Sequence, residues 1–326
     1  MSSIEKISLI GTGAMGSFYA SKLFDMDQDC ISLVAGGERC ERLKKKGFFV
    51  NDRHYNLPVI GPDDKTSPSD LVIVAVKHHH LAKAIDDIRN RINEKTLLLS
   101  VMNGIDSEDQ LGAAYGMEKV LYAVAVGIDA LREDNRLTYT TQGRLFFGEA
   151  KNPVISQRVK EVQSLFERAG ITYETPVDMI RVLWWKFMIN VGINQASAVL
   201  RAPYSAFQTS QEAKSLMESA MKEVMAIARE AKVNLSEKDI ENWYSVLSGL
   251  SPEGKTSMLQ DVEAGRKTEV DMLAGKVIEL GKTVNIPTPV NEKILRSIKE
   301  MEGDPTAKHP CSLAENLLDC VIKTSL

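Results

Sequence analysis

Short apolar runs alternate with amphipathic stretches over the first half of the chain. No charged residue interrupts the apolar positions within these runs, and helical patterns flank them, as is typical of strands that are buried on both faces. Alternation of this kind predicts an α/β fold with a mainly parallel, doubly wound sheet. The runs are KISLI at 6–10, ISLVA at 31–35, LVIVAV at 71–76, TLLLSVM at 96–102 and LYAVAVGI at 121–128.

The pattern changes after this series of strands. Residues 136–150 contain two strand-like pieces, which predict an antiparallel hairpin at a sheet edge. A predicted helix over 155–168 and the strand ITYET follow, and Pro176 ends the β-containing part. Beyond it the pattern is almost entirely helical, including QEAKSLMESAMKEVMAIAREA and MLQDVEAGRKTEVDMLAGKVIELGKTV. We therefore predict one domain over residues 1–177 and an all-helical domain over 178–326.

Composition narrows the class of protein. The chain has 326 residues, of which 44% are hydrophobic and 26% are charged, as in ordinary globular proteins. A formal net charge of −4 provides no general attraction to nucleic acid or to an anionic membrane. The start MSSIEKISLI does not resemble a signal peptide, and no apolar stretch approaches the length of a membrane span. We expect a cytoplasmic protein that binds a small molecule.

Cysteines and histidines give no metal-binding pattern. Cys30, Cys40, Cys311 and Cys320 lack the C-x2-C spacing of zinc sites, so we expect reduced, structural thiols. The histidines at 78–80 are consecutive, and consecutive helical side chains point in directions about 100° apart, so they cannot converge on one ion. We predict that they form a solvated helix start and that the protein holds no metal.

A stripe of polar side chains stands inside the apolar run WWKFMINVGIN. Lys186, Asn190 and Asn194 are four residues apart, and each such step turns an α-helix by only about 40°. A buried ammonium and buried amides are costly unless they are paired. The stripe therefore indicates a candidate site, although a lysine that reaches water and locally bonded asparagines would also explain it.

A glycine-rich turn follows the first predicted strand. Gly11, Gly13 and Gly16 lie in GTGAMG between KISLI and an amphipathic helix, which is the context of a dinucleotide-binding fingerprint. The first glycine permits a tight turn, the second allows a pyrophosphate to approach the backbone, and the third allows close packing of helix and strand. We predict that this turn, with Ala14 and Met15, binds the phosphates at the helix N-terminus.

The end of the second strand decides which dinucleotide is bound. An acidic residue there would bind a ribose 2′-hydroxyl and a basic one a 2′-phosphate, but the chain continues from Ala35 as GGERCERLKKK. Arg39 is the first basic side chain. It could fold back onto a 2′-phosphate or remain solvated, so the prediction of NADP over NAD rests on this residue.

Two further polar residues follow predicted strands. Lys77 comes directly after LVIVAV, and Asn103 comes directly after TLLLSVM. Ligands of open parallel sheets bind at the carboxyl ends of the strands, so these side chains could line a crevice with the glycine turn. Their alternative roles are a cation that opens a loop and an Asn-Gly turn.

These motifs, in this order, resemble the ketopantoate reductase (2-dehydropantoate 2-reductase) family. The resemblance covers almost the full length through GTGAMG, VAVK, MNG, WWKFMINVGIN and SMLQDVEAGRKTEVD. It implies NADPH bound on an N-terminal Rossmann domain and reduction of a 2-keto acid beside a helical domain. It also implies residue roles: Lys186 is the catalytic lysine and Glu269 the essential glutamate. By the same resemblance, Lys77 and Asn103 lie near the nicotinamide and its ribose. The implied substrate contacts are Asn190, Asn194, Ser257 and Asn103, so Asn103 has both roles.

Several alternatives remain open at this stage. Many relatives carry arginine where this chain has Gly36, so Arg39 would have to replace it in NADPH binding. Ser257 also begins a capping-box pattern with Gln260. By spacing alone, Glu269 would be a surface residue of an amphipathic helix. The resemblance implies reduction of ketopantoate to pantoate, a step of pantothenate and coenzyme A biosynthesis. The competing functions are a related reductase for another 2-keto acid, a dehydrogenase of the β-hydroxyacid type and a cofactor-binding regulator without turnover. The apolar last helices fit either a homodimer or burial against the first domain.

Overall fold

The computed structural model describes residues 4–303 of the chain. The chain divides into two compact units, and the division falls between Leu183 and Trp184, inside one helix. The first unit contains the strands, and the described part of the second unit is helical. Within residues 4–303, no helix combines the length and the apolar character that a membrane crossing would require.

Strands of the first unit form a larger and a smaller sheet. The predicted apolar runs are all confirmed as strands, with ends that shift by a few residues. The strands are β1 (Ile7–Ile10), β2 (Ile31–Val34), β3 (Phe48–Val50), β4 (Arg53–Tyr55), β5 (Val59–Ile60), β6 (Leu71–Val74), β7 (Leu97–Ser100), β8 (Val120–Ile128), β9 (Leu131–Glu133), β10 (Arg136–Thr138), β11 (Gln142–Gly148) and β12 (Tyr173–Glu174).

The larger sheet runs in the order β12, β11, β8, β7, β6, β1, β2, β5 and is mainly parallel. Helices cover both of its faces, as the double winding predicts. These helices are α1 (Ala14–Met26), α2 (Gly37–Lys46), α3 (Leu81–Asp87), α4 (Ser107–Tyr115) and α5 (Gln157–Arg168). On β6, for example, Leu71 and Ile73 pack into the core with α1 and α5, whereas Val72 and Val74 pack into the core with α3 and α4.

The hairpin predicted over residues 136–150 is wrong. The strand β11 lies in the larger sheet, antiparallel to β8, while β10 lies in the smaller sheet and pairs with β9 and β3. The turn between β9 and β10 explains the difference, because Asp134 adopts a left-handed φ of 51° that suits a tight hairpin turn followed by Asn135. The hairpin therefore forms one strand earlier than the sequence pattern indicates.

The smaller sheet joins two segments that are far apart in the chain. Its order is β4, β3, β10, β9, and β3 runs parallel to β10. Leu137 of β10 is 2% exposed and belongs to the same core as α1. Just beyond β10, the ring of Tyr139 meets that of Phe18 on α1 edge to face, with centroids 5.0 Å apart. These contacts attach the smaller sheet to the helix that follows the glycine turn.

The second unit contains most of the helical run that the sequence predicts. Asp178 accepts a hydrogen bond from the Arg181 amide (3.0 Å) and so caps the helix that carries Lys186. The helices are α6 (Met179–Ile189), α7 (Gln195–Leu200), α8 (Tyr204–Thr209), α9 (Gln211–Glu230), α10 (Glu237–Leu247), α11 (Ser257–Glu263), α12 (Lys276–Val284) and α13 (Pro289–Gly303).

Two of the four cysteines lie in the described part of the chain. Cys30 and Cys40 are buried and free, as predicted for structural thiols. Cys311 and Cys320 lie outside the described residues.

The long helical run predicted from MLQDVEAGRKTEVDMLAGKVIELGKTV is interrupted. The helix α11 ends at Glu263, because Gly265 takes a left-handed φ of 61° just beyond it. The amide of Gly265 bonds to the carbonyl of Val262, and that of Arg266 bonds to the carbonyl of Asp261, as in a Schellman motif. A loop from Ala264 therefore leads toward Glu269.

Two π-helical turns are the unusual backbone features of the second unit. The first, Asn190–Asn194, lies between α6 and α7, and the second, Asp271–Gly275, precedes α12. They pack against each other. Such turns insert an extra residue into a helix and occur frequently at functional sites. Both lie beside residues that the sequence marks as candidates.

Candidate functional site

The glycine turn has the geometry that a dinucleotide fingerprint requires. Gly11 has a φ of 98°, and a Cβ there would lie 2.5 Å from the Ala75 carbonyl oxygen. A Cβ on Gly16 would lie 1.7 Å from the Gly11 carbonyl oxygen. Gly13 caps α1 and is open, since the nearest atoms to its Cβ position are 3.8 Å away. The backbone from Gly13 through Ala14 and Met15 is thus accessible to an anion at a helix N-terminus without acidic side chains in its first turn.

Lys77 and Asn103 emerge at the same edge of the sheet as this turn. Ile10 of β1 is in register with Val74 of β6, which is in register with Ser100 of β7, so three loops leave the sheet side by side. Lys77 and Asn103 lie at equal distances along the chain beyond β6 and β7, and both are half-buried. The structure therefore brings the glycine turn and these two side chains to one edge, as the sequence predicts.

A side-chain contact joins the loops that carry Lys77 and Asn103. His78 opens the turn before α3, so the histidine triplet does begin a helix, but His78 is half-buried and its Nε2 lies 3.2 Å from a carboxylate oxygen of Asp106. Sequence reasoning missed this pair. A histidine and an aspartate 28 positions apart carry no local signal, and only the adjacency of β6 and β7 brings them together. Within residues 4–303, no group of histidine, cysteine and carboxylate side chains is arranged to hold a metal ion.

Arg39 lies in the first turn of α2, directly after the end of β2. Arg39 is exposed, but the protein atoms near its guanidinium partly desolvate it, and this desolvation and the repulsion from Arg42 lower the pKa of Arg39. Two like charges on one helix face would favour an anion between them. Since β2 runs parallel to β1 and pairs with it, the loop that leads from β2 into α2 leaves the sheet at the same edge as the glycine turn.

Arg132 reaches the glycine turn although no motif in the sequence marks it. It lies on β9 of the smaller sheet and is half-buried, and its guanidinium donates a hydrogen bond to the carbonyl of Thr12 inside the glycine turn. Its Nη1 is 3.8 Å from the Cβ position of Gly13. The segment LREDNR has no feature that predicts this approach, because the partner lies 120 residues away in the chain.

In the second unit, Lys186 lies where protein atoms desolvate its ammonium. The residue as a whole is half-buried. The protein atoms around its ammonium exclude water from it and lower the pKa of Lys186 to about 8. Asn190 is 3% exposed, and Asn194 is half-buried. Both asparagines belong to the first π-helical turn, so the regular α-helical periodicity that the sequence predicts for the stripe does not hold over residues 190–194.

Gln195 connects the two π-helical turns through its buried amide. It is 0% exposed; its Nε2 donates to the Val191 carbonyl (2.8 Å) and to Asn291 Oδ1 (3.2 Å), and its Oε1 accepts from the Ala274 amide (2.8 Å). In the second π-helical turn, the amide of Leu273 donates to the Glu269 carbonyl and the amide of Gly275 donates to the Val270 carbonyl. The amide of Ala274, which lies between them, donates to the side chain of Gln195 instead. Gln195 was not a candidate in the sequence, because the run WWKFMINVGIN and the residues that follow it were predicted to form one regular α-helix.

Ser257 begins α11, and Glu269 lies in the loop that follows this helix. Glu269 is half-buried and stands two residues before the second π-helical turn, so it is not part of a surface helix. Ser257 is exposed at the first position of α11, and the predicted capping box is wrong. Thr256 caps the helix instead by accepting from the Leu259 amide (3.2 Å), because its hydroxyl reaches the third amide of the helix.

Comparison with known proteins places this arrangement in a family. Two family models match the chain: ketopantoate reductase PanE/ApbA over residues 7–152, and ketopantoate reductase PanE/ApbA C terminal over residues 178–302. A 2-dehydropantoate 2-reductase of Pyrococcus horikoshii is 26% identical, over 91% of this chain and 98% of the relative.

Solved structures share the fold at low identity. A D-mandelate dehydrogenase in ternary complex with NADH and anilino(oxo)acetate aligns with a TM-score of 0.83 at 21% identity, over 93% of this chain and 100% of the other. A dimeric ketopantoate reductase from Staphylococcus aureus aligns with a TM-score of 0.78 at 20% identity, over 92% of this chain and 99% of the other. With both family models matched along its length, the chain belongs to the ketopantoate reductase PanE/ApbA family.

Proposed function

We propose that this protein reduces a 2-keto acid to a 2-hydroxy acid with NADPH, and that ketopantoate, which yields pantoate, is the substrate to test first. The proposal depends on the lowered pKa of Lys186, about 8, and on the position of this residue in the helix that leads into the π-helical turn with Asn190 and Asn194. Family membership and the dinucleotide-type glycine turn support it. In this proposal residues 1–177 hold the dinucleotide and residues 178–326 hold the keto acid.

The cofactor side of the proposal uses the edge of the larger sheet. The open backbone at Gly13 fits a pyrophosphate, with Gly11 and Gly16 shaping the turn and Ala14 and Met15 supplying helix N-terminal amides. Lys77 and Asn103 contact the nicotinamide and its ribose. Arg39 binds the 2′-phosphate, and the repulsion between it and Arg42 supports that role, because a bound anion would relieve it.

The chemical step needs a proton at the ketone oxygen. When bound, the reduced nicotinamide supplies the hydride. Lys186 donates its proton to the oxygen as negative charge develops there, and a pKa near neutrality makes it a better acid than an ordinary lysine. Glu269 pairs with Lys186 or holds the product hydroxyl. Asn190, Asn194 and Ser257 bind the carboxylate and hydroxyl of the substrate, so substrates without those oxygens leave buried amides unpaired.

A second candidate is reduction of an aryl-substituted 2-keto acid with NADH. Two observations favour it. The fold aligns well with a D-mandelate dehydrogenase solved with NADH. In addition, β2 is followed by Gly36 and Gly37, so no basic side chain stands directly at the place where a 2′-phosphate would bind.

One experiment distinguishes these functions. The purified protein is given NADPH or NADH with ketopantoate or phenylglyoxylate, and oxidation of the nicotinamide is followed by absorbance. Turnover of ketopantoate with NADPH supports the first candidate, and turnover of phenylglyoxylate with NADH supports the second. Lys186→Ala should lower turnover by orders of magnitude while the dinucleotide still binds, whereas Lys222→Ala, which removes an exposed lysine of the same unit, should change little. Unchanged turnover in Lys186→Ala would exclude Lys186 from the chemistry.

A further inference from the structure

We propose that Arg132 binds the pyrophosphate of the dinucleotide, so that the smaller sheet contributes directly to the cofactor site. The inference rests on the proposed function, because it assumes that the glycine turn binds a dinucleotide. Arg132 belongs neither to the glycine-rich motif nor to the strand ends that usually line such a site. It reaches the turn from a separate sheet.

The position of the guanidinium is the first argument. Arg132 donates to the carbonyl of Thr12, the residue between Gly11 and Gly13, and its Nη1 is 3.8 Å from the Cβ position of Gly13. That Cβ position marks the open face where a pyrophosphate approaches the backbone. A cation at this distance would lie beside the phosphates.

The hairpin that carries Arg132 holds it firmly. Its Nε donates to the carbonyl of Asp134 (2.9 Å), at the left-handed residue of the hairpin turn. Arg132 is in register with Leu137 on β10, so the two side chains project to the same face of the smaller sheet. Leu137 is buried in the core with α1, and this face is therefore the one turned toward the helix after the glycine turn.

The electrostatics of the turn are the third argument. The first turn of α1 contains no acidic residue, and its N-cap is a glycine without a side chain. The helix N-terminus and the guanidinium therefore place positive charge on the same side, without a carboxylate in that turn to neutralise it. Two phosphates carry the opposite charge, and a planar guanidinium matches their oxygens in a bidentate manner.

An alternative role for Arg132 is purely structural, as a clamp on the Thr12 carbonyl. Three variants separate the two roles. Arg132→Lys keeps the charge, Arg132→Gln keeps a neutral N–H donor for Thr12, and Arg132→Ala removes both. Arg136→Ala is the matched control, since it removes an arginine from the adjacent strand, where the guanidinium stacks on Phe49 and contacts Asp52.

The test is calorimetric titration of each variant with NADPH, or with NADH if the wild type binds it more tightly. We expect Arg132→Ala and Arg132→Gln to raise the dissociation constant by about 10- to 100-fold, as for loss of a charge-assisted contact. Arg132→Lys should recover part of the loss, and Arg136→Ala should stay within about twofold of the wild type. Thermal unfolding of the unliganded variants serves to monitor the fold.

The opposite pattern overturns the inference. Near-wild-type affinity of Arg132→Ala, or affinity restored by Arg132→Gln and not by Arg132→Lys, would reduce the residue to a clamp. Failure of the wild type to bind either dinucleotide would instead overturn the proposed function. The two failures are thus distinguishable within one set of titrations.

Discussion

Replacement of Gln195 by methionine tests whether one buried amide keeps the candidate site in shape. Methionine is similar in volume and has no strong hydrogen-bonding group, so the change removes polar contacts with little change in packing. It leaves the amide of Ala274 without its partner and removes the bonds to Val191 and Asn291. Both π-helical turns would then lose the link between them.

The magnitude follows from these bonds. An orphaned buried amide costs about 1–3 kcal/mol, and each of the other two lost hydrogen bonds costs about 0.5–1.5 kcal/mol. We therefore expect the free energy of unfolding to fall by about 2–6 kcal/mol. The matched control is Gln211→Met, at an exposed glutamine of α9 in the same unit, which should change the free energy of unfolding by no more than about 0.5 kcal/mol.

The assay combines urea unfolding with steady-state kinetics. Trp184, Trp185 and Trp243 are the only tryptophans of the chain, so their fluorescence follows the second unit. A role in positioning predicts a lower kcat for the keto acid with an unchanged dissociation constant for the dinucleotide. Stability within about 0.5 kcal/mol of the wild type would refute the energetic reasoning, and normal kinetics in a destabilised variant would refute the positioning role.

Three further predictions concern single groups. Because Lys186 must be protonated to act as an acid, kcat should fall as the pH rises through about 8, and a flat profile would contradict this. Burial raises the pKa of Glu108 from 4.5 to about 7, so the folded protein binds more protons than the unfolded chain between these values and stability falls as pH rises across them; Glu108→Gln should remove that slope in unfolding experiments at several pH values. Gly16→Ala should abolish dinucleotide binding or folding, because its Cβ would overlap the Gly11 carbonyl, and normal binding in titrations would disprove the tight packing of the turn.

The predictable parts of the fold are those that local pattern determines. Buried strands such as β6 read as apolar runs, and GTGAMG marks a turn whose glycines have individual steric reasons. Asp178 was predictable as a cap because an aspartate before an apolar helix can accept from its first amides. Lys186 stood out because an ammonium within an apolar run conflicts with the surrounding pattern.

Other features depend on contacts that no local pattern carries. The placement of β10 follows from the turn at Asp134 and from pairing with β3, which lies far away in sequence. The bond between Gln195 and Ala274, which links the two π-helical turns, joins positions 79 residues apart, so an α-helical periodicity could not reveal it. Thr256 displaced Ser257 as a cap because both residues suit the role and only the start of the helix decides between them.

The smaller sheet has a consequence for the order of folding. Its parallel pair, β3 and β10, joins segments separated by four strands of the larger sheet, β5 to β8, so forming it early would require closing a very long loop. We expect the larger sheet to assemble first and the smaller sheet to add at a late step. Amide hydrogens at Phe49 and Asn51, which bond to the carbonyls of Asn135 and Leu137, should then gain protection from exchange after those of β1 and β6 during refolding.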